Sequence, residues 1–128
     1  MKKLLTVTAV VETGAGVALL GLPSVTALLL LGATLEASAA VTLARVGGAA
    51  ILALSIVCWL TRDAQELAAR GLITAMVFYN LAVGGVLAFA GVGDGLHGML
   101  LWPAVAFHVA MGAWCIATLS RSHDEALP

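Results

Sequence analysis

The sequence predicts an all-α membrane protein: a four-transmembrane-helix bundle with a short interfacial helix after the first span, in a single domain over residues 1–128. Three observations predict it. Apolar residues make up 62 % of the 128 positions and 14 glycines add to them, well above the roughly 45–50 % of a soluble domain. Four apolar stretches, 4–20, 39–60, 67–90 and 99–119, approach or exceed the ~20 residues needed to cross ~30 Å of hydrocarbon at 1.5 Å per residue. Only 10 % of residues are charged, with a formal net charge of −1, so there is no basic surface to hold nucleic acid.

The first apolar run continues beyond residue 20 to Leu31. As one straight helix of about 28 residues it would measure about 42 Å, longer than the hydrocarbon is thick. Pro23 is the natural break. It has no amide hydrogen, pushes Leu22 towards extended backbone and is suited to open a new helix. The sequence therefore predicts a separate short helix over 23–31, ended by Gly32, in place of a single kinked span. Met1-Lys2-Lys3 before an apolar run also resembles a secretory signal, with Ala37-Ser38-Ala39 as a cleavage-like triplet. The length of the run and the interruption at Glu12 favour a retained span.

Between the second and third spans, Asp63 followed by Glu66 has the spacing of an N-cap and its reciprocal partner. Gly91-Val92-Gly93-Asp94-Gly95 reads as a glycine-rich turn between the third and fourth spans, without phosphate-loop spacing. Pro103 falls in the first turn of a helix starting near Met99, and Trp102 suits an interfacial aromatic belt. Lys2, Lys3, Arg62, Arg70 and Arg121 all fall on one side of an even-numbered topology, which the positive-inside rule assigns to the cytoplasm together with both termini. Cys58 and Cys115 are too few for a disulfide framework and read as buried, reduced small residues.

Four residues do not belong in hydrocarbon, one on each span: Glu12, Arg45, Asn80 and His108. By the helical rise, Glu12, Asn80 and His108 fall near mid-depth and Arg45 somewhat nearer the outer face. Small or compatible residues share their faces: Thr8, Ala15 and Gly16 around Glu12; Thr42, Gly48 and Ala49 around Arg45; Met76 and Gly84 around Asn80; Ala104, Gly112 and Cys115 around His108. Such spacing lets helices approach closely in lipid. A charge at the centre of a span costs about 2.5–3.5 kcal/mol on insertion scales, which favours pairing. The expectation is a buried polar centre with Glu12 paired to Arg45 and completed by Asn80 and His108, while Tyr79 either adds its hydroxyl or faces lipid.

Three readings of this centre stand side by side: structural glue, a ligand or proton site, and an oligomer contact. No nucleophile has a base at helical spacing, so hydrolysis is unsupported. His97 and His108 are separated by about 16 Å of rise, too far to share a metal or haem. With His123 in the polar tail, neither a metal nor a catalytic residue is assigned.

Val11-Glu12-Thr13-Gly14-Ala15-Gly16, Pro23-Ser24, Leu30-Leu31-Gly32, Ala44-Arg45-Val46-Gly47, Cys58-Trp59, Val77-Phe78-Tyr79-Asn80 and Leu101-Trp102-Pro103-Ala104 through His108 together carry a resemblance. The chain is similar to a group of small bacterial four-helix integral membrane proteins and, more loosely, resembles the DoxX-like superfamily, whose four-helix members have a short element after the first helix. The resemblance implies a bacterial inner membrane and the same bundle; in the DoxX-like case it also implies quinone-coupled or small-molecule redox roles. Glu12 and Arg45 inherit no role from it. The expected function is a non-enzymatic inner-membrane bundle whose polar centre binds a small lipophilic molecule, a quinone or a lipid being the candidates, alone or within a homo-oligomer or larger membrane assembly. The alternatives are an oligomeric proton-coupled transporter or channel protomer and a structural accessory subunit.

Overall fold

A computed structural model describes residues 1–124; the side chains of Glu66 and of residues 122–124 lie outside the description. Five helices follow in order: α1 (Lys2–Gly21), α2 (Pro23–Leu31), α3 (Ser38–Thr61), α4 (Glu66–Val92) and α5 (Leu101–Asp124). Four of them, all but α2, are long and apolar enough to cross a membrane, and the fold is a four-span helical bundle. Proline at position 23 separates α1 from α2. Leu22 leaves the helical region (φ −130°, ψ 56°), its N–H closes α1 on Ala18 O at 2.8 Å, and its carbonyl starts α2 by accepting from Thr26 N at 2.9 Å. Gly32 ends α2 in the left-handed conformation (φ 78°), where a side chain would be strained.

The helices are arranged as two antiparallel pairs, α1 with α3 and α4 with α5. Glycines set the first pair. A Cβ on Gly16 would lie 2.9 Å from Gly48 O and 2.7 Å from Leu52 Cγ, and one on Gly48 would lie 2.7 Å from Leu20 N. The backbones touch because neither residue has a side chain, the close approach by which helices gain dispersion energy in lipid. In the second pair Gly84 lies across from His108 and Gly112 across from Asn80, with Cβ distances of 3.4 and 3.6 Å.

The pairs meet unevenly. Towards the end that carries the N-terminus, Leu4, Leu5 and Ala9 of α1 interlock with Cys58, Ile73, Met76, Met111 and Cys115 in a buried apolar core. Both cysteines are free and buried. Towards the opposite end the pairs part and α2 closes the gap. Its last turn is clasped by the α4–α5 connection: Leu100 N donates to Leu29 O at 2.9 Å, and Gly98 lies so close to Leu30 that a Cβ there would clash with the Leu30 carbonyl.

Local expectations change at three points. The N-cap of α4 is Gln65, without a side-chain cap bond, whereas Asp63 turns to Lys2 Nζ at 2.6 Å and Arg62 Nε at 3.3 Å. The ammonium from α1 competes successfully for the carboxylate, and the expected reciprocal partner, the Glu66 side chain, lies outside the described residues. Gly91 and Val92 still belong to α4, because Gly91 is buried against Leu101 and Trp102; the connection begins only at Gly93. α5 starts at Leu101 instead of Met99, since the preceding residues are held by α2, and Pro103 remains within its first turn. At the end of α3, Arg62 stacks over Trp59 at 3.4 Å from the ring centroid, a cation–π arrangement at the charged end of the bundle.

Candidate functional site

Glu12 is 3 % exposed, Asn80 2 % and His108 9 %, so three of the four residues singled out within the spans are buried. Tyr79 joins them. Its O–H donates to Glu12 Oε2 at 2.8 Å, crossing from the α4–α5 pair to α1, and its ring meets His108 edge-on with centroids 5.8 Å apart. His108 Nδ1 lies 3.0 Å from Asn80 Oδ1, and Asn80 Nδ2 donates to Met76 O at 2.8 Å. The His108–Asn80 contact follows from spacing. Asn80 and Gly84 are four apart on α4, His108 and Gly112 four apart on α5; antiparallel packing places each polar side chain over the other helix's glycine. Without that room the helices would stand too far apart for a direct bond.

Arg45 is not in this centre, and the expected Glu12–Arg45 pair does not form. The α1–α3 register gives the reason. Thr13 Oγ1 bonds Ser55 Oγ at 3.1 Å and Gly16 meets Gly48 and Leu52, so Glu12 lies level with residues near Ser55. Arg45 is about ten residues, or ~15 Å, further along α3, and it is exposed. Among the described residues it makes no ion pair. The acid is met by a phenol.

One polar contact escaped the sequence reading, and one residue that it placed on the Glu12 face has a further property. The Thr13–Ser55 contact joins α1 to α3, and the signal for it was a serine within an apolar run, one turn before Cys58. Thr8, one turn before Glu12, is buried with no hydrogen-bond partner for its hydroxyl among the described residues, in contrast to Thr6 and Thr13, which bond back to the preceding turn.

Above the polar cluster, where the helix pairs part, lies a half-open cavity of about 460 Å³ to which all five helices contribute. This is within the range of small-molecule sites. Its floor carries Glu12, Tyr79 and His108; its walls are apolar, with Ala15 and Leu19 from α1, Ile51 from α3, Leu87 from α4 and Ala104 and Phe107 from α5. Thr26, Leu29 and Leu30 of α2 form its far end. From Glu12 to Leu19 the depth is about 10 Å. Among the described residues no three His, Cys, Asp or Glu side chains converge as metal ligands would; His123 falls outside that description.

Such a chamber is suited to holding an apolar body between the helix pairs with a polar head against the floor. No family model matches the chain, and comparison with curated proteins and with solved structures also finds no match.

Proposed function

We propose that this chain is a membrane-embedded binding protein that takes a small lipophilic molecule, of the lipid or quinone class, into the cavity between its helix pairs. The observation that carries the reading is the cavity of about 460 Å³ with largely apolar walls and a polar floor formed by Glu12, Tyr79 and His108. Apolar burial would supply affinity and the polar end orientation, the division of labour usual in such sites. Lys2, Lys3, Arg62 and Arg121 at one end of the bundle support placement in a bacterial inner membrane with both termini cytoplasmic. In this setting the protein works alone or as a subunit that presents its cargo to a larger membrane assembly.

The reading is tested by extraction in mild detergent followed by mass spectrometry of co-purified small molecules, for the natural protein and for Ala104→Phe, which fills the chamber from α5. The natural protein should retain a lipophile in near-stoichiometric amount and the variant should lose it while keeping its helical circular dichroism. The same complement of bound molecules in both folded proteins would remove the cavity from the function.

A further inference from the structure

The hydrogen bonds already made around the cavity define what its occupant must bring. Four polar side chains line it: Glu12, Thr26, Tyr79 and His108. Two have their hydrogen committed elsewhere. The Tyr79 hydroxyl donates to Glu12 Oε2, and the Thr26 hydroxyl donates to Leu22 O at 2.9 Å.

His108 is settled by its neighbour. Asn80 Nδ2 donates to Met76 O, a carbonyl that only accepts, so the amide cannot be turned round without setting two oxygens against each other. Asn80 therefore presents Oδ1 to His108, and Nδ1 of the imidazole carries the hydrogen of that 3.0 Å bond. In the uncharged ring the lone pair then resides on Nε2, which has no partner among the described residues. What remains on the residues that line the chamber is His108 Nε2 and the Tyr79 oxygen lone pairs as acceptors, beside the Glu12 carboxyl group.

Building on the binding function proposed above, we infer that, within the lipid or quinone class, the cavity selects lipophiles whose head donates a hydrogen bond, an alcohol, an amine or the reduced dihydroxy form of a quinone, over ethers, ketones and carboxylates of the same skeleton. A head with only acceptors sets lone pair against lone pair and leaves buried groups unmatched, the situation in which polar sites discriminate most strongly. An alcohol satisfies Nε2 with its one hydrogen.

Two measurements on the full chain test this. First, the detergent-solubilised protein is offered n-decanol, n-decylamine, decyl methyl ether and decanoate at equal concentration, and the retained amounts are quantified after gel filtration. The alcohol or the amine should exceed the ether by about tenfold, the effect of one buried hydrogen bond left unmade. Alcohol above amine assigns a neutral hydroxyl head and the reverse an ammonium head. Ether or decanoate retained as well as the alcohol overturns the inference while leaving the binding function standing; retention of none of the four removes both. Second, nitrogen NMR of protein labelled at histidine, with His97→Gln and His123→Gln so that only His108 reports, should show hydrogen on Nδ1 and a bare Nε2 whose resonance moves on addition of n-decanol. Hydrogen found on Nε2 alone overturns the inference without reference to any ligand.

Discussion

Tyr79 on α4 donates a 2.8 Å hydrogen bond to Glu12 on α1, and through this bond the two helix pairs of the bundle exchange a polar contact in the middle of an apolar structure. An acid at this depth is costly to insert, and the phenol offsets part of that cost without adding a second charge. Tyr79→Phe strands the acid, whereas Glu12→Leu with Tyr79→Phe removes both partners. The double-mutant cycle should give a coupling of roughly 0.6–2 kcal/mol, the range of interhelical hydrogen bonds in membranes and of buried ones in general. Reversible unfolding in mixed micelles measures it, and additive single effects would mean that the bond contributes nothing.

Arg45 should behave as a surface residue. It is exposed and about 15 Å along the bundle from the acid, so Arg45→Leu is expected to change stability by no more than about 0.5 kcal/mol and to show no coupling to Glu12→Gln in the same cycle. Strong coupling would show that the α1–α3 register differs from the one described.

Adjacent glycines on α3 should respond oppositely to the same substitution. Gly48 touches the α1 backbone, and a Cβ there lies 2.7 Å from Leu20 N, whereas a Cβ on Gly47 meets nothing within 4 Å. Gly48→Ala should cost about 1–3 kcal/mol by forcing the helices apart. Gly47→Ala should leave the thermal midpoint unchanged or raise it, since alanine is favoured over glycine in a helix by up to ~1 kcal/mol. Equal effects at the two positions would contradict the crossing.

Thr8→Val replaces a buried hydroxyl that has no partner among the described residues with a methyl group of similar shape. Removing an unsatisfied group relieves its desolvation cost, so the variant should be more stable by about 1 kcal/mol. A loss of that size in micelle unfolding would reveal a hydrogen bond at Thr8 that the structure does not contain.

At the charged end, Lys2 Nζ sits 2.6 Å from Asp63. Its hydrogen bond, with help from Arg62, holds the Asp63 carboxyl below its usual range. Because the folded value is the lower one, the contribution of this contact is complete above the ordinary carboxylate pKa of about 3.9 and disappears as pH falls through the depressed value. Solvent and salt screen the exposed pair, so Asp63→Asn should leave the thermal midpoint at neutral pH unchanged. Carboxyl carbon NMR should nevertheless place the Asp63 midpoint under the value of an unstructured peptide; a midpoint at or above it would show that Lys2 does not hold the carboxyl.

Glu12, Asn80 and His108 were legible in the sequence as polar residues on apolar spans, because burying polarity in a membrane is expensive enough to be conspicuous. Tyr79 was visible without its direction being decided. A phenol is at home at a lipid interface and in a polar core alike, and the helical period near residue 79 favours neither. The cavity left no trace in the sequence, since it is the space that two pairs of helices leave between them.

The four spans, the break at Pro23 and the depth of each polar residue were determined by the chain's own order of residues, because hydropathy, helical rise and the missing amide of proline act within a few residues of one another. Which acid meets which partner was decided only in three dimensions. The glycine contacts of α1 with α3 and of α4 with α5 fix how far each helix slides along its neighbour, and that sliding, which no single helix encodes, brings Tyr79 to Glu12, seats His108 on Asn80 and leaves Arg45 outside.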